Sequence, residues 1–182
     1  ATPGSENYAF NMGISGDRIE HILYRILPKS AGGLGQLDAP QLNPDYMVVM
    51  LGINNSWAAE DPVADSIFEG VHVALRALHA RKPHSRIVLQ SLLPTNDVAK
   101  NRDVVGIVNQ RLVKLASSPE FSGFTRYLDL YPAFTDAAGM QIPHYFTDGL
   151  HPNQVGYSVW RDQLLAFLKT ERAASLRSTP TK

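Results

Sequence analysis

The sequence alternates short apolar runs with longer stretches whose apolar residues recur at the helical period, and this alternation limits the folds that the chain can adopt. Residues 46–51 form an unbroken apolar run between turn-forming residues, which is typical of a strand buried on both faces in a parallel sheet. From Pro62 onward, apolar residues recur every three or four positions as far as Leu78, which predicts a helix. Strands that alternate with helices predict an α/β protein, with a parallel sheet covered by helices on both faces.

We predict eight elements along the chain, and they form a single domain over residues 1–182. The predicted strands are residues 8–12, 46–51, 87–93 and 127–130. The predicted helices are residues 19–27, 63–78, 104–115 and 155–168. The length of 182 residues suits one domain, and no linker divides the chain. We expect the core to span about residues 8–170 and the tail over residues 171–182 to be frayed.

The balance of charge and the lack of cysteine narrow the functional classes. The 17 Lys and Arg residues balance 17 Asp and Glu residues, so no net field attracts nucleic acid or an anionic membrane surface. Without cysteine, the chain has no disulfides, thiolate zinc sites or cysteine nucleophiles. The longest apolar run, residues 46–53, is far shorter than the ~20 residues of a membrane-spanning helix. The chain starts at Ala1 without a signal-peptide pattern, so we expect a processed or cut N-terminus, and the localisation stays unknown.

Three polar segments follow predicted strands or precede the last predicted helix, where ligands bind in parallel sheets. Gly16 lies among small residues whose exposed backbone N–H groups suit a developing negative charge, while a turn that needs glycine is the simpler alternative. Asn54 can donate its amide to an oxyanion without adding charge, or it can belong to an Asn-rich turn. Asp148 precedes His151 by three residues, so its carboxylate can accept from one ring nitrogen and leave the other as a base.

Four segments together resemble a known family. They are residues 10–17 (FNMGISGD), 48–55 (VVMLGINN), 92–94 (LLP) and 148–153 (DGLHPN), the last followed by Gly156 and Tyr157. In this order and spacing they are similar to the motifs of SGNH (GDSL) hydrolases, and above all to the acetylhydrolase type that deacetylates platelet-activating factor. The resemblance covers residues 8–168. It implies a three-layer α/β/α sandwich with a parallel, flavodoxin-like sheet.

The resemblance also implies a serine esterase that hydrolyses short-chain acyl esters, acetyl esters above all, through an acyl-enzyme intermediate. In such an enzyme His151 is the base and Asp148 orients its ring. The backbone N–H of Gly16 and the side-chain amide of Asn54 form the oxyanion hole. The implied substrate is an acyl ester of a small molecule, a glycan or a lipid, and the reaction implies no cofactor and no metal.

Asn55 and Trp57 follow the oxyanion asparagine directly, and we predict that both bind the substrate. For Trp57 a simple packing role is the alternative. Some relatives pair their subunits, so a homodimer is one expected arrangement.

One part of the family pattern, a strand that runs into Gly-Asp-Ser, does not occur in this sequence. Its serine is the nucleophile in the family, and the strand lies between those represented here by residues 8–12 and 46–51. We expect this strand to exist in the native protein as a separate or unrecorded segment, or the remaining sheet to have closed around the gap. Ser5, Ser15 and Ser56 are the alternative nucleophiles, and each is predicted to be a turn hydroxyl.

Two other functions are compatible with the sequence. A non-catalytic binding module would keep the pocket and lack the nucleophile. A metal hydrolase would use His144, Asp148 and His151, since imidazole and carboxylate are adequate zinc ligands. The fit of the last two residues to the triad pattern explains them better than a metal site does.

Overall fold

The structure is a computed structural model that describes residues 8–57 and 60–177. Its sheet has three parallel strands in the order β1-β2-β3, namely β1 (Tyr46–Val49), β2 (Arg86–Gln90) and β3 (Thr125–Leu128). In the register of the sheet, Val88 in the central strand lies between Val48 and Arg126. The parallel α/β architecture that the alternation predicted is therefore confirmed.

The helices of the described residues have the following bounds. The α-helices are α1 (Ile19–Ile26), α2 (Val63–Arg81), α3 (Val98–Lys100), α4 (Gly106–Ala116) and α5 (Gln154–Arg177). A π-helical turn, Asn101–Val105, joins α3 to α4. Short 3-10 turns lie at Lys29–Ala31, Ile53–Trp57, Tyr131–Phe134 and Pro143–Tyr145. Over the described ranges, none of these helices combines the length and the apolar character needed to cross a membrane.

The apolar core lies on both faces of the sheet. On β2, the side chains of Ile87 and Leu89 point to one face and that of Val88 to the other, and all three are fully buried. The first face packs against α1, α2 and α4, and the second packs against α5, in which Leu168 is buried. Because both faces are covered, β2 has apolar residues at successive positions instead of an alternation of apolar and polar residues. The sheet is the middle layer of an α/β/α sandwich.

The predicted strand over residues 8–12 is wrong, because residues 8–14 have no regular secondary structure. Tyr8 is 91% exposed and Phe10 is 73% exposed. A strand needs a neighbouring backbone for its hydrogen bonds, and among the described residues β1 pairs with β2 alone. The second edge of β1 is therefore free within the described part of the chain, and Val48 of this strand is 44% exposed.

The strand predicted at residues 87–93 ends earlier, at Gln90, because a side chain takes over the backbone bonding of Leu92. Asn109 Oδ1 accepts from Leu92 N at 2.8 Å, and Asn109 Nδ2 donates to Leu92 O at 3.0 Å. The Asn109 amide therefore pairs with the backbone N–H and carbonyl of Leu92, which would otherwise need a neighbouring strand as their hydrogen-bond partner. The chain can therefore leave the sheet directly after β2.

The last helix continues to Arg177, through the first part of the tail that was predicted to be frayed from residue 171, and residues 178–182 lie outside the described residues. Two ion pairs hold this part of the helix against the sheet. Glu171 Oε2 lies 3.2 Å from Arg126 Nε and 3.8 Å from Arg86 Nη1. These pairs join α5 to the amino-terminal ends of β2 and β3.

Candidate active site

The turn of residues 148–151, called the Asp–His turn below, holds a carboxylate against an imidazole. Asp148 Oδ2 lies 2.8 Å from His151 Nδ1. The other carboxylate oxygen accepts from Leu150 N at 3.0 Å and from His151 N at 2.8 Å. Because an ionised carboxylate can only accept, Nδ1 donates, and Nε2 is left free to take up a proton. The structure therefore brings together the pair that the three-residue spacing predicted, and the ring is exposed.

The hydrogen bonds to Asp148 lower the pKa of its carboxyl to about 2. The backbone N–H of His151 makes the largest contribution, and the His151 ring and the Leu150 N–H add to it. Asp148 is therefore ionised at neutral and mildly acid pH. In this form it holds the ring in one tautomer.

Gly16 and Asn54 lie close to each other, although they are far apart in the sequence. Asn54, in the 3-10 turn Ile53–Trp57 (the amide turn), donates Nδ2 to the carbonyl of Asp17 at 2.7 Å. Gly16 has a φ of +80°, which favours glycine, and a Cβ there would meet nothing within 4 Å. In the described part of the chain, no residue accepts a hydrogen bond from Gly16 N. A free backbone N–H and a side-chain amide therefore lie near one another, which suits an oxyanion.

A buried arginine, Arg25, fixes the segment that contains Gly16. Arg25 is 7% exposed, donates to the carbonyl of Met12 at 2.7 Å and pairs with the carboxylate of Asp17. The carbonyl of Asp17 in turn holds Asn54, so α1 fixes the positions of Gly16 and the Asn54 amide through this arginine. Sequence reasoning missed Arg25, because an arginine in a helix usually lies on the solvent face and nothing in the pattern marks this one as buried.

The segment that follows β2, residues 94–101 (the bridging segment), connects the two parts of the site. On one side, Asn96 N donates to the carbonyl of Gly149 in the Asp–His turn at 2.9 Å. On the other side, Lys100 Nζ donates to Ser56 O at 3.1 Å and to Ser56 Oγ at 3.2 Å, within the amide turn. Since β1 and β2 are parallel neighbours, the segments that follow them emerge at the same edge of the sheet. The bridging segment thus joins the Asp–His turn to the amide turn.

Asn55 was predicted to bind substrate, and in the structure its side chain caps α1. Asn55 is 7% exposed, and its Oδ1 accepts from Ile19 N at 3.0 Å. Its Nδ2 donates to Glu20 Oε2 at 3.0 Å. The amide is used to satisfy an N–H group that the first turn of a helix leaves unpaired. Because Asn55 and Ile19 are far apart in the sequence, no local pattern predicts this cap.

Trp57 lies at the end of the amide turn and is 55% exposed. The ammonium group of Lys100 lies 3.8 Å from the centroid of its ring, which is a cation–π contact. This surface position, in the same turn as Asn54, is compatible with a substrate wall. A role of Trp57 in binding substrate stays a prediction.

Three serines, Ser5, Ser15 and Ser56, were considered as alternative nucleophiles. Ser56 Oγ donates to Ile53 O at 2.7 Å and accepts from Lys100, so its hydroxyl is committed to the amide turn. Ser15, which precedes Gly16, is exposed. Ser5 lies outside the described residues. The turn role predicted for Ser56 agrees with its hydrogen bonds.

Asn153 was not assigned a role from the sequence, although an asparagine before a helix is a known capping signal. Its Oδ1 accepts from Val155 N at 2.9 Å and from Gly156 N at 3.1 Å. Its Nδ2 donates to the carbonyl of His144 at 2.8 Å. Asn153 therefore fixes the start of α5 directly behind the Asp–His turn.

The metal-hydrolase hypothesis gains no support from the described residues. Within residues 8–57 and 60–177, no three His, Asp or Glu side chains are grouped so that they could hold a metal ion. His144 lies in the 3-10 turn Pro143–Tyr145 that precedes the Asp–His turn. Its carbonyl, and not its ring, is the group that takes part in the local hydrogen bonding.

A carboxylate–imidazole pair beyond the strands of a parallel sheet is typical of α/β hydrolases. The chain belongs to the GDSL-like lipase/acylhydrolase family, whose pattern it matches over residues 3–159. The resemblance to SGNH (GDSL) hydrolases is therefore confirmed.

Curated relatives include two subunits of platelet-activating factor acetylhydrolase IB. Subunit alpha1 of Homo sapiens is 29% identical over 156 residues, and subunit alpha2 of Rattus norvegicus is 27% identical over 156 residues. Each match covers 83% of this chain, but only 59% of the first relative and 60% of the second. The chain thus spans about three fifths of the length of these relatives.

Solved structures share the fold. A carbohydrate esterase family 3 protein from Talaromyces cellulolyticus matches with a TM-score of 0.61 and 24% identity, over 87% of this chain and 69% of that one. LAE5, an alpha/beta hydrolase enzyme from the metagenome of Lake Arreo, matches with a TM-score of 0.60 and 25% identity, over 86% and 70%. The α/β/α fold of this chain is thus shared with these two solved structures.

Proposed function

We propose that this chain supplies the acid–base pair and the oxyanion hole of a serine ester hydrolase. The observation that carries the proposal is the 2.8 Å contact between Asp148 Oδ2 and His151 Nδ1, which leaves Nε2 exposed as a base. The bridging segment connects this pair to the turn that holds Asn54 beside Gly16. Base and oxyanion donors are the two devices that acyl transfer to a serine requires.

The reaction then runs in two halves. His151 Nε2 takes the proton of a serine hydroxyl as the serine oxygen attacks the ester carbonyl, and the oxyanion accepts from Gly16 N and the Asn54 amide. The bond to the alcohol breaks, and the alcohol leaves with the proton from His151. A water molecule repeats the attack on the acyl-enzyme and releases the acid and the free serine.

We place the nucleophilic serine on a strand that pairs with the free edge of β1. No Gly-Asp-Ser sequence occurs among the 182 residues, and the hydroxyl of Ser56 is committed to its own turn. The apolar Val48, 44% exposed, supports an added neighbour at this edge of β1. A parallel strand there would end beside the amide turn, because the carboxyl ends of parallel strands meet at one edge.

The proposed substrate is a short-chain acyl ester, with acetyl as the acyl group. Two relatives are named acetylhydrolases, and this supports the acetyl group for the present chain. The exposed Trp57 ring offers a wall for the alcohol part of a small, glycan or lipid ester.

The test is labelling of the native polypeptide with a fluorophosphonate, which reacts with an activated serine, followed by mapping of the labelled peptide. We expect one labelled serine other than Ser15 and Ser56, and no labelling after His151→Ala. The control His84→Ala changes an exposed histidine beyond α2 and should label like the wild type. A folded protein that stays unlabelled would support the non-catalytic binding module instead, and a label on Ser15 would overturn the placement at β1.

A further inference from the structure

Gln141 is a buried polar residue in the long loop between β3 and α5, and it contacts the Asp–His turn. It is 8% exposed. Its Nε2 donates to the carbonyl of Pro94 at 2.8 Å and to the carbonyl of Gly149 at 2.8 Å. Both hydrogens of one amide nitrogen are therefore used on two backbone carbonyls, one in the bridging segment and one in the Asp–His turn.

The backbone of Gln141 is itself fixed, so the position of its amide is well defined. Gln141 pairs with Thr135 in an isolated antiparallel bridge. The small turn between them is closed by Asp136 N, which donates to Met140 O at 2.8 Å. The next residue, Ile142, donates its N–H to Phe134 O at 3.0 Å. The side-chain amide is thus presented from a hydrogen-bonded loop.

Gly149, which receives this amide, lies between the two members of the acid–base pair. Its φ is +79°, and a Cβ there would collide with the side chain of Asn96. Its carbonyl accepts from Gln141 Nε2 at 2.8 Å and from Asn96 N at 2.9 Å. Two donors therefore fix the peptide plane at the centre of the turn. The N–H groups that bind Asp148 follow immediately in the chain.

We propose that Gln141 is a positioning residue that sets the Asp148–His151 geometry by clamping the carbonyl of Gly149 against the bridging segment. Without this clamp, the turn would relax and its N–H groups would point less directly at the Asp148 carboxylate. The inference rests on the proposed function only for the chemical role of the pair. The clamp itself can be tested without any hydrolysis.

The experiment compares Gln141→Met with the matched control Gln90→Met. Both glutamines are buried, but Gln90 is 1% exposed in β2 and its Nε2 has no hydrogen-bond partner among the described residues. The first readout is the titration of Asp148, followed by carboxyl-carbon NMR. In Gln141→Met we expect the pKa of Asp148 to rise toward its ordinary value, because the backbone hydrogen bonds that lower it weaken. In Gln90→Met we expect it to stay at the wild-type value.

The second readout is amide hydrogen exchange at Leu150 and His151, with the amides of β2 in the same molecule as the reference. In Gln141→Met we expect these two amides to exchange about tenfold faster relative to β2, the factor that follows from losing one hydrogen bond of ordinary net strength. This ratio corrects for any general loss of stability.

If Gln141→Met does not fold, Asn96→Pro removes the other donor to the same carbonyl, and we expect the same two changes. An unchanged titration of Asp148 with an unchanged exchange ratio, in a folded variant, would overturn the proposal. A failure of fluorophosphonate labelling would remove the esterase function and leave this result standing, so the two outcomes can be told apart.

Discussion

At Asp148, one carboxylate oxygen shapes the Asp–His turn while the other holds the imidazole ring. The sequence spacing predicted the contact with the ring, because three residues are a short distance in any turn. It did not predict the two backbone N–H donors or the Gly149 carbonyl clamp, since these depend on the path of the loop. A residue pattern therefore predicts which groups meet, whereas the surrounding backbone decides their geometry.

The stability contribution of Asp148 is expected to depend on pH in the acid range. The folded-state pKa of about 2 lies below the ordinary value, so the ionised carboxylate favours the folded state. The contribution is fully present above about pH 4 and is lost as the pH falls through about 2. The difference in Tm between the wild type and Asp148→Asn should therefore shrink as the pH is lowered across this range. A difference independent of pH, or one matched by Asp162→Asn on the exposed surface of α5, would contradict the expectation.

Replacement of Asn54 by alanine tests the oxyanion hole. We expect Asn54→Ala to lower kcat of the complete enzyme by about 10²–10³ with a smaller effect on KM, since the amide binds charge that develops in the transition state. Steady-state kinetics with an acetyl ester measures this effect. The control Asn43→Ala removes an exposed turn amide that donates to the carbonyl of Pro40. A kcat of Asn54→Ala close to that of the wild type would remove Asn54 from the mechanism.

At the scale of the elements, local periodicity predicted the helices better than the strands. The bounds of α1 and α2 lie within a few residues of prediction, because an apolar stripe along a helix is a local signal. The strand predicted at residues 8–12 failed, because a strand depends on a neighbour that the pattern does not contain. The early end of β2 depends on Asn109, which lies in α4. Contacts between residues that are distant in the sequence therefore account for the differences between the predicted and the observed strands.

The free edge of β1 is expected to promote self-association of this 182-residue chain. An unpaired edge with an exposed apolar side chain is a site for edge-to-edge contact, and lysine at such an edge opposes it. We therefore expect Val48→Lys to lower self-association at high concentration, measured by light scattering, with little change in Tm. The control Val88→Lys places the same charge in the buried core of β2 and should unfold the protein. Equal association of Val48→Lys and the wild type would show that this edge is not the contact.

At the scale of the whole molecule, the candidate site is built from the turn that contains Gly16, the amide turn and the Asp–His turn. The bridging segment connects the last two, and Asn54 connects the amide turn to the first. Lys100 makes the connection to the amide turn through Ser56 and the ring of Trp57. No sequence motif marks this lysine, because its partners lie in another loop. The contacts that hold the site together thus form only in the folded chain, and the order of the motifs does not predict them.

Removal of the Lys100 contact should loosen the amide turn. In a Trp160→Phe background, where Trp57 is the remaining tryptophan, we expect Lys100→Met to increase acrylamide quenching of fluorescence, because the ring loses the cover of the ammonium group. The control Lys114→Met changes an exposed lysine of α4 and should leave quenching unchanged. Equal quenching in Lys100→Met and the background protein would show that the contact does not hold the turn.

The ion pairs of Glu171 with Arg86 and Arg126 lie at the pole of the sheet opposite the Asp–His turn. These ion pairs and the candidate site therefore lie at opposite ends of the sandwich. Thermostabilising substitutions often reduce activity when they stiffen residues near the reaction centre. Substitutions near Glu171 can therefore change the stability of the fold, or the dependence of that stability on salt. The surroundings of the Asp–His turn would stay the same.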